Sequence, residues 1–216
     1  MPAVAGSTWP RAVSLVTMSR HDDVPVWLRD ADRQLAGGYS SARRTEWLLG
    51  RAALQCAVAS WCAEHGTGEI DPAGVRIRAG ALGEPRLESR HGRPISVSLA
   101  HGGTLVVAVA TGGEHRLGVD VEPEHRDVSR LHASLLPAER SLVDDGMPAL
   151  HVLMAKEAAS KAWQIGLGGA LQRWPVHRGP ASSLSVRGPD REPLVVDLHI
   201  VDGHVIALCL AHRAIA

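Results

Sequence analysis

The chain has no phenylalanine, one tyrosine and two lysines in 216 residues. Its three cysteines, Cys56, Cys62 and Cys209, are odd in number and stand at no metal-ligand spacing. That usage offers neither a disulfide framework nor a thiolate metal site, and it reads as small buried thiols of a reducing compartment. Long apolar runs are also missing. The longest stretch free of Asp, Glu, Lys and Arg, from Pro94 to Gly113, carries His101-Gly102-Gly103 in its middle, which suits a turn between two strands rather than a membrane helix. The N-terminal residues lack the basic stretch and apolar core of a secretory signal, so a cytoplasmic location is expected. There is no excess of either charge, with 23 basic residues against 23 acidic ones, so nothing points to nucleic acid or an anionic membrane as partner.

What is present is an ordinary globular composition, 45% hydrophobic and 21% charged. The length allows one large domain or two small ones, with enough chain to bury a core unaided. The first 40 residues, with Trp9 and Trp27, give no clear pattern. Ala42 to Glu64 has helical spacing of its apolar residues, and strands are expected at Val75–Ala79, Ile95–Leu99 and Thr104–Ala110. The order then repeats: a strand from Leu117 to Glu122, short helices from Asp127 to Asp144 broken at Pro137, and a strong helix from Leu150 to Ile165 closed by glycines. Strands follow at Leu184–Arg187, Leu194–Val201 and His204–Ala211, the last two joined by the hairpin signal Asp202-Gly203. The pattern predicts an α+β fold of two similar lobes, 1–113 and 114–216, a pseudo-twofold duplication with a main helix packed on an antiparallel sheet in each.

Two segments carry chemistry. In Leu117-Gly118-Val119-Asp120-Val121-Glu122, strand alternation puts Gly118, Asp120 and Glu122 on one face. Neighbouring carboxylates repel unless a cation sits over them, and a hard divalent ion with oxygen ligands is one solution; a solvated acidic edge is the other. In Lys156-Glu157-Ala158-Ala159-Ser160-Lys161, Glu157 and Lys161 are one turn apart, as a surface ion pair would also be. Arginine supplies 21 of the 23 basic residues, so two retained lysines suggest point charges or proton donors rather than forks.

Together, G-V-D-x-E and K-E-A-x-x-K resemble the signature of 4′-phosphopantetheinyl transferases, and length and lobe order resemble the larger surfactin-synthetase-activator (Sfp) type. The resemblance runs from about Ala42 to Ile165. It also takes in Ala42-Arg43-Arg44 through Gly50-Arg51, the short motif Gly83-Glu84-Pro85, and Ser98-Leu99-Ala100-His101-Gly102. It implies transfer of 4′-phosphopantetheine from coenzyme A, as co-substrate, to a serine of an apo acyl or peptidyl carrier protein, with release of 3′,5′-ADP. By the same resemblance Asp120, Glu122 and Glu157 would hold Mg²⁺ (or Mn²⁺), and Glu157 and Lys161 would be catalytic. Arg44, Arg51, Arg86, Ser98, His101, Lys156 and Lys161 would bind coenzyme A, the N-terminal lobe taking its nucleotide. The segment Asp127–Leu136 would help dock the carrier, and the two fused lobes would work as a monomer. Two departures stand out: Glu84 reverses the charge usual in its motif, which Arg86 or Arg93 would have to restore, and Leu153-Met154 replace an aromatic and a small polar residue. They keep open a catalytically silent relative that binds coenzyme A or a carrier protein. An unrelated Mg²⁺-dependent phosphohydrolase using the same carboxylates is a further alternative.

Overall fold

A computed structural model describes residues 3–4, 10, 12–65, 68–88 and 94–213. Trp9 and Arg93 lie outside the described residues. By its internal contacts the chain divides into two compact units, Met1–His115 and Arg116–Ala216. Both mix helices with antiparallel sheet, so the fold class is α+β.

The first unit contains β1 (Ala3–Val4), β2 (Ser14–Ser19), α1 (Asp30–Leu35), α2 (Ser41–Glu64), β3 (Ile77–Ala79), β4 (Pro85–Leu87), β5 (Ile95–Gly102) and β6 (Leu105–Gly112). Its main sheet has the order β1-β2-β6-β5, and β3-β4 form a separate hairpin. β2 falls in the stretch that the sequence left unassigned. Its register on β6 pairs Val16 with Ala108 and Met18 with Val106, so an apolar face meets an apolar face. α2 covers that face. Its Leu49, Ala52, Ala53 and Ala57 are buried with Val16, Val106, Ala108 and Ala110, and the small side chains let the helix axis approach the sheet. The turn after β5 lies one residue beyond the expected one: His101 and Gly102 still pair in the ladder, opposite Val106 and Leu105, and Gly103 takes the left-handed φ of +54°.

The second unit contains β7 (His115–Pro123, its first residue counted with the preceding unit), α3 (Pro137–Asp144), α4 (Ala149–Trp163), β8 (Val176–Arg178), β9 (Leu184–Arg187), β10 (Pro193–Val201) and β11 (His204–His212). Its sheet order is β7-β11-β10-β9-β8. Residues Ser129–Ser134 form a short 3₁₀ helix before α3. α4 is buried along Leu150, Met154, Ala158 and Ala162 against Val196, Val205, Ala207 and Cys209 of the sheet. It ends at Gln164, which adopts the left-handed conformation (φ +56°), two residues before the expected glycine stop at Gly166. The β10–β11 hairpin turns through Asp202 and Gly203, both at positive φ (+48° and +70°), as a two-residue turn requires. In each unit the strand ahead of the main helix pairs with the last strand of the later hairpin, β2 on β6 and β7 on β11. Among the described residues no helix is long and apolar enough to cross a membrane.

Candidate functional site

In the second unit, α4 lies directly on β7. A Cβ added at Gly118 would stand 2.0 Å from the Ala158 carbonyl oxygen and 2.6 Å from the Ala162 nitrogen, so glycine is what lets the helix backbone meet the strand there. That contact sets the next residue on the same strand face, Asp120, beside the helical turn that carries Glu157 and Lys161. Lys161 Nζ donates to Asp120 Oδ1 at 2.9 Å and to the Val119 carbonyl at 2.9 Å. The ammonium is thus a point charge shared between a carboxylate and a carbonyl, a role that a planar fork would fill poorly. Glu122, next on the face, is ion-paired with Arg126.

Glu157 differs from both. Its carboxylate is half-buried and among the described residues has neither a hydrogen-bond donor nor an ion-pair partner. Burial pushes its pKa above the usual carboxylate value and the Asp120 charge raises it further, against weaker opposite pulls from Lys161 and Arg126. Asp120, Glu122 and Glu157 line one pocket of about 190 Å³, together with Val128, Leu131 and Met154. Three carboxylates with no soft ligand among them are suitable donors for a hard divalent cation, and two side-chain cations leave that cluster one positive charge short. The donors are not gathered as they stand: among the described residues no three of His, Cys, Asp or Glu are placed to hold a metal ion. Arg126 engages Glu122 and Lys161 engages Asp120, so a bound cation would compete with these partners for the two strand carboxylates.

Lys156 corrects an expectation. It is fully buried, its Nζ standing 2.8 Å from the Glu139 carboxylate and donating to the Leu171 carbonyl at 3.0 Å. Glu139 in turn accepts from the backbone nitrogens of Leu136 (2.9 Å) and Val176 (3.0 Å). This ion pair ties α4, α3 and β8 together inside the unit and presents nothing to a coenzyme A phosphate. The cause is helical phase: Lys156 lies about 100° around the helix from Glu157, on the side facing α3. Glu139 and Arg126 are site and scaffold residues that the sequence motifs do not flag. Glu139 is the third residue after Leu136 at a Pro-started helix, where a carboxylate is expected only to cap.

The expected nucleotide-binding residues of the first unit have mixed fates. Arg51 is buried: Nη1 donates to the Ile77 carbonyl at 2.6 Å, the guanidinium lies 4.5 Å from the centre of the Trp47 ring, and Asp32 stands 3.7 Å away. It serves packing within the unit, and burial lowers its pKa. Arg44 is exposed on the first turns of α2 and donates to the carbonyls of Ala36 (3.1 Å) and Gly37 (2.7 Å), and among the described residues no carboxylate pairs with it. Arg86, expected to replace the missing cation, is held by both a 2.7 Å and a 2.6 Å contact on Glu84, so the two neutralise each other. Ser98 is buried in β5 opposite Val109. The His101 ring rests on α2 at Gly50, where an added Cβ would come within 2.8 Å of Nε2. No protein-family model matches this chain, and no curated protein matches it.

Proposed function

We propose that this protein transfers the 4′-phosphopantetheine group of coenzyme A to a serine of an apo acyl or peptidyl carrier protein, releasing 3′,5′-ADP. The observation that carries the reading is the Glu157 carboxylate, kept half-buried beside Asp120 by the seating of α4 on Gly118, with no hydrogen-bond or ion-pair partner among the described residues. The shared strand-helix-hairpin order of the two units supports the further reading of a duplicated phosphopantetheinyl transferase fold.

Asp120, Glu122 and Glu157 would hold Mg²⁺ or Mn²⁺, which when bound supplies Lewis-acid neutralisation of the diphosphate oxygens. Glu157, whose raised proton affinity suits a general base, takes the serine proton as the serine oxygen bonds to the phosphorus of the phosphopantetheine phosphate. The bond from that phosphorus to the bridging oxygen breaks, and its electron pair leaves with 3′,5′-ADP. Lys161 supplies positive charge against the leaving oxygen, an electrostatic contribution of the kind that dominates phosphoryl transfer. Arg44 and His101 would meet the nucleotide phosphates, with Arg86 available once Glu84 lets it go; the expected contact of Ser98 is not carried over, since its side chain is buried in β5. The exposed 3₁₀ segment with Leu131, whose side chain borders the carboxylate pocket, would receive the carrier.

The ungathered carboxylates and the Glu84–Arg86 pair favour the second reading, a silent relative that binds coenzyme A or a carrier without transfer. Intact-mass spectrometry of an apo carrier protein incubated with the protein, coenzyme A and Mg²⁺ separates the two. The transferase adds one phosphopantetheine mass to the carrier, and the silent relative leaves that mass unchanged. Hydrolysis of coenzyme A without carrier points to the phosphohydrolase instead.

A further inference from the structure

At the other end of the β7–α4 seam the charge is reversed. Arg116 lies four residues before Asp120 on β7, about 13 Å along the strand. Its guanidinium stands 4.0 Å from the centre of the Trp163 ring, at the last residue of α4. Arg191 stands over the same ring at 5.2 Å. Arg191 and Arg187 come from the β9–β10 connection, which the pairing of Arg187 with Pro193 closes into a tight loop. A cleft of about 500 Å³ is lined by Arg116, Trp163, Arg187 and Arg191 and also by Asp190 and Glu192. It shares no lining residue with the carboxylate pocket.

Three properties make this cleft more than a solvated patch. Among the described residues, Arg116, Arg187 and Arg191 have no ion-pair partner, although two carboxylates stand nearby. Stacking on an indole occupies the face of a guanidinium and leaves its in-plane N–H groups pointing outward, in the fork that fits an oxyanion. The like charges are also crowded, since Arg191 and Arg213 are close enough to depress the pKa of Arg116 beyond what its burial does. An arrangement of mutually repelling forks without ion-pair partners around one indole is relieved by a multiply charged anion.

We infer that the Arg116–Trp163–Arg191 cleft, with Arg187, is a binding site for a phosphate or phosphoanhydride group, separate from the carboxylate pocket and independent of the function proposed above. The fork geometry favours a small phosphorylated ligand over an acidic protein surface.

The test titrates pyrophosphate, and in a second arm ADP, into the full-length protein without coenzyme A, following heat and tryptophan fluorescence at constant ionic strength set with KCl. Saturable binding is expected, weakened about tenfold or more in the double variant Arg187→Gln/Arg191→Gln. Both side chains are exposed, so this variant should fold as the wild type does, which circular dichroism verifies. Trp163→Phe should keep the heat and lose the fluorescence change, which places the ligand at this indole. Tighter binding of ADP than of pyrophosphate assigns the group to a nucleotide, and the reverse order to the free anion. Unchanged affinity in the double variant overturns the inference. So does an absence of saturable binding, or capture of poly-glutamate with no affinity for pyrophosphate.

Discussion

Gly118 and Ala158 meet backbone to backbone: there is room for a hydrogen at residue 118 and none for a methyl group, which would sit 2.0 Å from the Ala158 carbonyl oxygen. The glycine of the G-V-D-x-E segment therefore sets the distance between the strand carboxylates and the helical Glu157. Gly118→Ala must push α4 off β7. A loss of about 1–3 kcal/mol, or more because the obstacle is backbone, is expected in urea unfolding, with carrier modification falling further than stability alone accounts for. Wild-type stability in Gly118→Ala would contradict the close contact.

The two lysines separate by function. Lys156→Met strands the Glu139 charge inside the second unit and should cost about 3–5 kcal/mol of stability. Lys161→Met removes a partly exposed ammonium and should change stability by less than about 1 kcal/mol, while lowering transfer about 10²-fold or more. Paired thermal melts and carrier-modification rates check the contrast.

Composition alone singled out both lysines, because arginine serves elsewhere, and both are point charges in the structure. Helical spacing alone puts Lys161 on the face of Glu157 and Lys156 about 100° away from it. What the sequence could not tell is the partner of Lys156: Glu139 is brought to α4 from another helix, and no spacing rule links positions 139 and 156. Local signals fared better. The Asp202-Gly203 hairpin, the helix now bounded as Ser41–Glu64 and the strand Leu184–Arg187 all follow from turn chemistry and periodicity. β2 was not legible, because its apolar residues acquire meaning only against β6, some 90 residues later in the chain. The arginine cleft at Trp163 likewise arises from tertiary placement.

Glu157 should make stability pH-dependent. Its folded-state pKa is raised by burial and by Asp120, so protonation favours the fold, and wild-type stability falls as pH rises through that raised value. Glu157→Gln removes the cost. In EDTA, the variant should melt higher than wild type at pH 7, with the gap closing as pH drops toward the ordinary Glu value of about 4.3. A gap that is absent at neutral pH, or widens in acid, contradicts the assigned cause.

Glu84 holds Arg86 through two contacts. Glu84→Gln releases the guanidinium and removes a negative charge from the proposed coenzyme A site. Coenzyme A affinity should rise severalfold by isothermal titration, and Arg86→Gln in the same background should cancel the gain. No change in either variant places the β3–β4 hairpin outside the coenzyme A site.

The most direct test of the whole account is a Mn²⁺ titration, read by electron paramagnetic resonance, of the protein saturated with coenzyme A. If carboxylates from β7 and α4 act on one ion, wild type binds a single Mn²⁺, and Asp120→Ala, Glu122→Ala and Glu157→Ala each weaken it about tenfold or more. Wild-type Mn²⁺ affinity in Glu157→Ala would show that strand and helix do not share an ion, and the proposed chemistry would fall with that result.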